Sequence, residues 1–194
     1  MAVVALVVHH ERDEAAQTAR RIAAWLVERG HEVRCPELDA RIVGLDLHAV
    51  GDDALAPGLD LAVSLGGDGT ILRTVDLVST EGVPVLGVHI GQLGYLTEVE
   101  PDVLEQALER ILAGDHDVEE RMLLEVTVEG AGGAAVTPVT HLALNEAVLE
   151  KTPSGHTVRL EVWVNRRFFT TYATDGLIVA TPTGSTAYAF SARG

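Results

Sequence analysis

Apolar residues in the first 120 positions of the chain follow two periods in alternation. Residues 3–8 form a continuous apolar run, which is typical of a strand covered on both faces, and the mainly apolar residues 59–65 and 83–89 predict two more buried strands. Residues 31–35 also predict a strand. Apolar positions recur at helical spacing over about residues 11–29, 71–79 and 101–112. Residues 44–58, which include two aspartates and a proline, predict an irregular loop. Strands that alternate with helices predict right-handed crossovers, and hence an α/β domain built on a parallel sheet.

After about residue 120 the pattern changes to strand-like runs separated by Gly, Pro and Asn turns. These runs cover residues 122–128, 140–149, 158–164, 168–173 and 177–180, and no helical period separates them. We therefore predict an α/β domain over residues 1–119 and a predominantly β domain over residues 120–194. The last strand is followed by the start of a helix, which would leave sheet edges uncovered, so we expect the second domain to be incomplete at its C-terminus.

Charge and composition narrow the classes of partner. The chain is 47% hydrophobic and 22% charged, as globular proteins are, and its formal net charge of −15 disfavours binding to nucleic acid or to an anionic membrane surface. An anionic ligand would need local cations, a metal ion or backbone amides. Lys151 is the single lysine and lies far from the glycine-rich segments. A phosphate loop that depends on a lysine is therefore excluded.

Cysteine content and hydropathy predict the compartment. Cys35 is the single cysteine, so an intrachain disulfide is excluded and a reducing environment fits. The apolar start of the chain is too short for a signal peptide, and no run reaches the roughly 18 apolar residues of a membrane helix. We expect a cytoplasmic protein.

The segment Gly66-Gly67-Asp68-Gly69-Thr70 follows a predicted buried strand and begins a predicted helix. Open parallel sheets bind ligands at such junctions. Glycines let the backbone approach an anion closely, and the free N–H groups of a helix start can donate to phosphate. The Asp68 carboxylate would repel phosphate unless it holds a metal ion or accepts a proton from a nucleophile. A tight turn in which Asp68 caps the helix is the alternative.

Asn145 and Glu146 lie inside an otherwise apolar segment, residues 142–149. Neighbouring strand positions face opposite sides, so at least one of the two would face a covered surface, where an acid without partners is costly. The pair predicts polar binding, for instance to ribose hydroxyls. An edge strand or bulge with both groups solvated is the alternative.

A hydroxyl-rich loop, Thr-Pro-Thr-Gly-Ser-Thr-Ala-Tyr at residues 181–188, follows the last predicted strand, and Asp175-Gly176 precedes that strand. The loop ends at the predicted start of a helix. It could bind an anion or a sugar, with Tyr188 available to stack on a base. Hydroxyl groups before a helix also serve as ordinary caps, and this interpretation stays open.

The order of these motifs resembles the NAD kinase family over nearly the whole chain. They are Gly-Gly-Asp-Gly-Thr, Gly-x-Leu-Gly-Tyr-Leu, Asn-Glu, Asp-Gly and Thr-Pro-Thr-Gly-Ser-Thr-Ala-Tyr. The first motif is shared with diacylglycerol and sphingosine kinases and more loosely with phosphofructokinases, whereas the last is far more specific to NAD kinases. The resemblance implies an N-terminal α/β domain and a C-terminal β-sandwich-like domain, with NAD bound between them.

The resemblance also implies an activity, transfer of a phosphoryl group to the 2′-hydroxyl of the adenosine ribose of NAD, which makes NADP. The implied donor is ATP or, in some bacterial members, inorganic polyphosphate, and a divalent metal ion, expected to be Mg²⁺, assists. The protein itself supplies no dedicated metal site in this prediction. The family's second domain normally continues for many tens of residues beyond the Thr-Ala-Tyr motif.

Site residues follow from the same resemblance. Asp68 matches the proposed general base, and Gly66, Gly67 and Thr70 belong to the phosphate-donor loop. Positions that contact NAD in the family fall on Gly69, Tyr95, Asn145, Glu146, Thr183, Thr186, Ala187, Tyr188 and Ser191. Asp175 matches an acid that reaches the site of a neighbouring subunit in family oligomers, which implies a homo-oligomer, a dimer or a tetramer.

Two other functions stay open at this point. A lipid kinase of the diacylglycerol or sphingosine type would depend on residues 66–70 alone and leaves residues 181–188 unexplained. A non-catalytic NAD-binding fragment would keep binding and lose transfer. Formation of NADP from ATP, Mg²⁺ and NAD would separate the NAD kinase from both.

Overall fold

The chain divides into two compact units, Met1–Glu119 and Glu120–Gly194. The structure, a computed structural model, describes residues 1–91, 94–130, 137–152 and 156–194. The first unit is an α/β unit with a parallel sheet, and the described strands of the second pair antiparallel. The predicted change of fold class along the chain is therefore confirmed.

Five parallel strands form the sheet of the first unit, in the order β3-β2-β1-β4-β5. They are β1 (Val3–Val8), β2 (Glu32–Pro36), β3 (Ala49–Val50), β4 (Leu61–Gly66) and β5 (Val85–His89). The chain builds outward from β1 to β3 on one side, then crosses to add β4 on the other side. The strand order therefore reverses between β1 and β4, where doubly wound sheets bind ligands at their carboxyl edge.

Helices cover both faces of this sheet. They are α1 (Asp13–Glu28), α2 (Glu37–Val43), α3 (Asp52–Leu55), α4 (Asp68–Val78) and α5 (Leu104–Leu112). Val4, Leu6 and Val8 of β1 face the larger apolar cluster, which includes residues of α1, α2 and α5. Ala5 faces the smaller cluster, with Leu55 of α3 and residues of α4. This alternation explains why β1 is apolar at every position, because consecutive side chains pack on opposite faces.

The segment between β2 and β4 differs from the prediction. Residues 44–58 are not an irregular loop, because they contain a 3₁₀ turn (Asp46–His48), β3 and α3. Helix α2 was not predicted at all. It spans only seven residues and ends at Gly44, whose φ of 75° is the left-handed conformation that often ends helices. Two turns of helix give too few repeats for a periodic signal.

Helix α4 begins at Asp68, three residues before the predicted start. Gly67 occupies the cap position in an extended conformation, so the last three residues of the glycine motif form the first turn of the helix. The helix predicted over residues 101–112 also exists, as a 3₁₀ turn (Pro101–Val103) that continues into α5. In the described residues, no helix combines the length and the apolar character that crossing a membrane requires.

Three antiparallel pairs make up the described part of the second unit. They are β6 (Leu124–Val128) with β7 (Val139–Ala143), β8 (Glu146–Glu150) with β11 (Gly176–Ala180), and β9 (Val158–Val164) with β10 (Arg167–Thr174). A 3₁₀ turn (Thr183–Thr186) and the short helix α6 (Tyr188–Ser191) follow β11.

The prediction of a single strand over residues 140–149 is wrong. The strand is interrupted at Leu144 and Asn145. The strands on either side, β7 and β8, pair with different partner strands. Backbone and hydroxyl groups of Thr181 bond the carbonyls of Asn145 and Leu144, at 2.8 and 2.5 Å. The carbonyls of Leu144 and Asn145 bond Thr181 instead of a neighbouring strand. The local pattern of apolar residues does not reveal such a long-range contact.

Candidate functional site

The glycine turn between β4 and α4 is a place of close backbone approach. Gly66 ends β4, and a Cβ at this position would lie 2.7 Å from the Cβ of Thr70. Only glycine therefore lets the first turn of α4 fold back against the strand. Gly67 and Gly69 have open space where a side chain would be. The first N–H groups of a helix also have no acceptor within the helix.

Asp68 links this turn to the second glycine-rich turn. Its side chain makes no capping bond to α4, so the interpretation of Asp68 as a helix cap is wrong. The two carboxylate oxygens instead accept the backbone N–H groups of Tyr95 and Leu96, each at 3.0 Å. A Cβ at Gly94 would lie 2.7 Å from the Asp68 Cγ. The glycine at 94 thus makes room for the carboxylate, and the two bonds fix its orientation.

Tyr95 takes part in this contact through its backbone. Its side chain is 83% exposed and projects from the turn, so its ring is available to a ligand. The neighbouring positions 92 and 93 of the Gly-x-Leu-Gly-Tyr-Leu motif lie outside the described residues.

An open cleft of about 530 Å³ lies beside the glycine turn. One wall follows the end of β1, and the other is the first two turns of α4. The lining residues are Val8, His9, His10, Glu11, Arg12, Gly67, Gly69, Thr70 and Arg73. Because β1 and β4 are neighbours, their carboxyl ends meet at this edge of the sheet. The cleft therefore occupies the point at which the strand order reverses.

Asp39 of α2 is a fully buried acid that contacts Arg73, one of the residues that line the cleft. Arg73 binds both of its oxygens, at 2.7 and 2.6 Å, and also donates to the Val8 carbonyl at 2.8 Å. The Val8 amide and the Nε2 of His10 each approach Asp39 at 2.7 Å. An ionised carboxylate only accepts, so His10 carries the Nε2 proton in this contact.

Two titrating groups near the cleft have shifted pKa values. Burial alone would raise the pKa of Asp39, but the hydrogen bonds from Arg73, the Val8 amide and His10, together with the charge of Arg73, bring that pKa below its usual value. Asp39 is therefore ionised and balances the charge of Arg73. Burial, with the nearby Asp39 charge, raises the pKa of the Cys35 thiol to about 12. This thiol is not a nucleophile in the folded protein.

Arg12, which follows β1, also lines the cleft. Its guanidinium donates to the Ile90 carbonyl and fits against Gly91, where a Cβ would lie 2.5 Å from the Arg12 Cζ. Gly91 has a φ of 94°, which also favours glycine. Within the described residues, no carboxylate oxygen lies within 4.0 Å of this guanidinium.

Arg12, His10, Asp39 and Arg73 are not among the site residues predicted from the sequence. Arg12 and His10 could have been found, because they directly follow β1, whose carboxyl end must lie beside that of β4 in a sheet of this order. Arg73 lies three residues after Thr70 and so shares its helix face. Asp39 had no signal, since α2 itself was not predicted.

In the second unit, Asn145 and Glu146 meet the hydroxyl-rich loop. The Asn145 carbonyl accepts the Thr181 amide, and a Cβ at Gly184 would lie 2.7 Å from the Asn145 Cα. The Thr181 hydroxyl, besides its bond to Leu144, accepts the Gly184 amide at 3.1 Å. These contacts place the start of the loop against the Asn-Glu segment.

Glu146 has an unsatisfied acceptor. Its Oε2 is buried and has no hydrogen-bond partner among the described residues. A buried, unpaired carboxylate oxygen is costly, so the position is suited to a donor that a ligand provides. The alternative, in which Asn145 and Glu146 are both solvated at an edge strand or bulge, is therefore wrong for Glu146.

The remaining loop residues form short local structure. Thr183 and Thr186 lie in the 3₁₀ turn, where the Thr186 hydroxyl donates to the Thr183 carbonyl at 3.4 Å. Ala187 precedes α6, and Tyr188 and Ser191 are its first and last residues. The Thr183 hydroxyl also accepts from Arg121 at 3.4 Å. The Thr186 hydroxyl is the donor in this bond and α6 has no side-chain capping bond, so Thr186 does not cap the helix. The Tyr188 ring is half-exposed.

Asp175 and Tyr188 line a second cleft, of about 370 Å³, along β8 and β11. Asp175 is paired with the ammonium group of Lys151 at 2.8 Å. The pair lies at the end of the β8–β11 ladder, where the Lys151 amide also bonds the Asp175 carbonyl. The single lysine of the chain is therefore held by Asp175 and not by a glycine turn.

The described residues contain no group of three metal-ligating side chains. Mg²⁺ that arrives with substrate phosphates needs only one or two protein carboxylates, because phosphate oxygens and water complete its shell. Asp68 provides one such carboxylate at the glycine turn. The described residues at the glycine turn therefore fit an Mg²⁺ ion that is coordinated mainly by phosphate oxygens and water.

A doubly wound sheet with a glycine-rich helix start at its reversal point defines the first unit as one of the α/β proteins that bind nucleotides or phosphates. Comparison with known proteins gives the family. The model of the ATP-NAD kinase N-terminal domain matches residues 4–116, and that of the C-terminal domain matches residues 144–194. The chain belongs to the NAD kinase family.

Individual relatives agree with this assignment. An NAD kinase from Mycobacterium leprae (strain Br4923) is 40% identical over 205 residues, which cover 98% of this chain and 65% of the relative. One from Heliobacterium modesticaldum is 41% identical over 203 residues, which cover 100% and 67%. This chain thus spans about two thirds of the length of these relatives.

Two solved structures share the fold. Yeast NADH kinase complexed with NADH superposes with a TM-score of 0.89 at 24% identity, over 100% of this chain and 61% of that one. An NAD kinase from Archaeoglobus fulgidus in complex with ATP gives a TM-score of 0.61 at 27% identity, over 100% and 65%. The predicted α/β fold followed by a β unit is therefore confirmed.

Proposed function

We propose that this chain carries the nucleotide-handling part of an NAD kinase, which transfers a phosphoryl group from ATP or inorganic polyphosphate to the 2′-hydroxyl of the adenosine ribose of NAD. The observation that carries this proposal is the Asp68 carboxylate, fixed by two backbone amides at a glycine-rich helix start. The family membership supports it, as do relatives named NAD kinase and solved structures of the family with NADH and with ATP.

Asp68 acts as the general base in this proposal. The 2′-oxygen of the ribose attacks the terminal phosphorus of the donor, and the bond from that phosphorus to the bridging oxygen breaks. The hydroxyl proton passes to the Asp68 carboxylate, whose lone pairs beyond the two amide bonds remain available as acceptors. Mg²⁺, when bound with the donor, would neutralise charge on the phosphates, and Asp68 is the carboxylate placed to share it.

The second unit supplies the acceptor contacts in this proposal. The buried Oε2 of Glu146 lacks a donor among the described residues, as expected of a group that accepts a bond from a ribose hydroxyl. Asn145 is its neighbour, and the half-exposed ring of Tyr188 is available to stack on a base. Gly69, Tyr95, Thr183, Thr186, Ala187 and Ser191 complete the proposed set.

A coupled assay tests the function. The protein is incubated with ATP, Mg²⁺ and NAD, and NADP is measured with an NADP-specific dehydrogenase. We expect NADP, and replacement of ATP by inorganic polyphosphate decides the donor. Absence of NADP together with thermal stabilisation by NAD would instead favour a binding fragment.

We further propose a cytoplasmic homo-oligomer. The buried, reduced Cys35 and the absence of a second cysteine support a reducing compartment. The match of Asp175 to an acid that acts between subunits in the family supports self-association, and light scattering of the purified protein measures its mass. A monomer at all concentrations contradicts this part.

A further inference from the structure

We propose that Arg12 binds the phosphate chain of the donor in the cleft beside the glycine turn. In phosphate loops of the G-x-x-x-x-G-K type a lysine performs this task, and here the single lysine lies in the other unit. The ligand chemistry is a chain of phosphoanhydride-linked phosphates, whether in a nucleoside triphosphate or in inorganic polyphosphate. This inference rests on the proposed function, since it assigns the donor side of the same site.

The Arg12 side chain is held in place for this task. One of its N–H groups donates to the Ile90 carbonyl, and the missing side chain of Gly91 leaves the space that the guanidinium fills. A guanidinium has five N–H donors, so most of them remain for oxygen atoms of a ligand. The bond to Ile90 thus orients the group without consuming its binding capacity.

The two arginines that line the cleft, Arg12 and Arg73, differ in whether a carboxylate neutralises their charge. Asp39 is ionised, binds both terminal nitrogens of Arg73 and cancels its charge. Arg12 has no carboxylate within 4.0 Å in the described part of the chain, so its charge is uncompensated. Glu11 also lines the cleft, but it is exposed and its charge is screened by water. In a chain with a net charge of −15, an uncompensated cation at this position favours an anionic ligand.

The helix start offers matching donors. The Thr70 amide already bonds the Gly67 carbonyl at 2.9 Å, whereas the amides of Asp68 and Gly69 lie in the turn whose N–H groups have no acceptor within the helix. Gly69 and Arg12 both line the cleft. A phosphate between them would receive backbone amides from one side and a guanidinium from the other.

The test compares Arg12→Gln and Arg12→Lys with Arg20→Gln. Arg20 is a matched control, because it also lies near the start of the chain and donates to a backbone carbonyl, that of Val43, but does not line the cleft. KM values for ATP and NAD are measured, and binding of inorganic tripolyphosphate is measured by calorimetry. Thermal unfolding shows that each variant is folded.

We expect Arg12→Gln to weaken ATP and tripolyphosphate alike by about 10- to 100-fold, because a charge-assisted hydrogen bond is lost. The KM for NAD should change by less than about twofold, Arg12→Lys should recover part of the loss, and Arg20→Gln should behave as the unmodified protein. A loss for ATP alone would show that the nucleoside, and not the phosphate chain, is recognised and would overturn the proposal.

The proposal also fails if tripolyphosphate does not bind the unmodified protein, if Arg12→Gln binds it normally, or if only the KM for NAD rises. Calorimetry separates this failure from that of the proposed function. Suppose that the unmodified protein binds tripolyphosphate but makes no NADP, and that Arg12→Gln abolishes the binding. This result would support the phosphate site at Arg12 and would reject the proposed kinase activity.

Discussion

At the scale of single residues, partners far along the chain orient the Asp68 carboxylate and neutralise the Arg73 guanidinium. The Asp68 carboxylate is oriented by amides 27 and 28 residues away. The Arg73 charge is neutralised by an acid 34 residues away. Residue type alone leaves each of these roles undetermined, because a carboxylate and a guanidinium act according to what surrounds them.

Asp68→Asn tests the general base. We expect kcat to fall by about 10²- to 10⁴-fold, since proton acceptance is lost, whereas the KM for NAD should stay within a few-fold. Steady-state kinetics of NADP formation measure both. Asp60→Asn is the control, because Asp60 also accepts a backbone amide, that of Val3 at 2.8 Å, away from the cleft. Turnover of Asp68→Asn at the normal rate would remove Asp68 from this role.

Asp39→Asn should lower the free energy of unfolding by about 3 kcal/mol, since it leaves Arg73 without its buried counter-charge. The pKa of Asp39 is depressed in the folded state, so its contribution to stability is present above the unfolded pKa of about 3.9 and is lost as the pH falls through the lower folded value. Urea unfolding between pH 2 and 7 should therefore show a smaller acid-induced loss in the variant than in the unmodified protein.

A surface pair provides the comparison for Asp39. Arg110 and Asp115 form a bond at 2.9 Å, with more than two thirds of each side chain exposed. Asp115→Asn should leave the unfolding curves unchanged within error, because exposed pairs contribute little. Equal destabilisation by the two substitutions would show that burial of Asp39 is not the cause.

At the scale of elements, two glycine-rich turns act together. The turn before α4 carries Asp68, and the turn after β5 supplies the amides that hold it and, in Gly94, the space that it needs. The apolar runs predicted each of these strands to within two residues, because a strand buried on both faces leaves a continuous signal. Contacts between the turns depend on the parallel sheet, which brings the carboxyl ends of β4 and β5 together.

Gly94→Ala should displace the Asp68 carboxylate, since the new Cβ would lie 2.7 Å from its Cγ. We expect kcat to fall roughly tenfold or more, because a small misplacement of a catalytic group is costly, and the melting temperature to change little. Gly51→Ala is the control: its Cβ would meet nothing within 4 Å. If both variants turned over alike, the second turn would have no part in positioning Asp68.

At the scale of the whole molecule, the chain consists of an α/β unit with two apolar clusters and a β unit with many exposed apolar side chains. The lone cysteine belongs to the larger cluster of the first unit and is fully buried. Its thiol therefore reports on the unfolding of that unit.

Cys35 should be unreactive toward a disulfide reagent in the folded protein at pH 8, because the thiol is buried and its pKa is about 12. We expect the labelling rate to rise with urea in parallel with unfolding of the first unit followed by circular dichroism. Rapid labelling without denaturant would contradict the buried position.

The sequence by itself determined the alternation of strands and helices in the first unit, the change to β structure near residue 120 and the family. The secondary structure follows from the local spacing of apolar residues, and the family follows from the order of the motifs along the chain. Tertiary structure alone decided the break between β7 and β8 at Leu144 and Asn145, helix α2 with its buried Asp39, and the cleft that Arg12 and the start of α4 both line. These features arise from pairing and burial between distant segments, for which a short stretch of sequence contains no periodic signal.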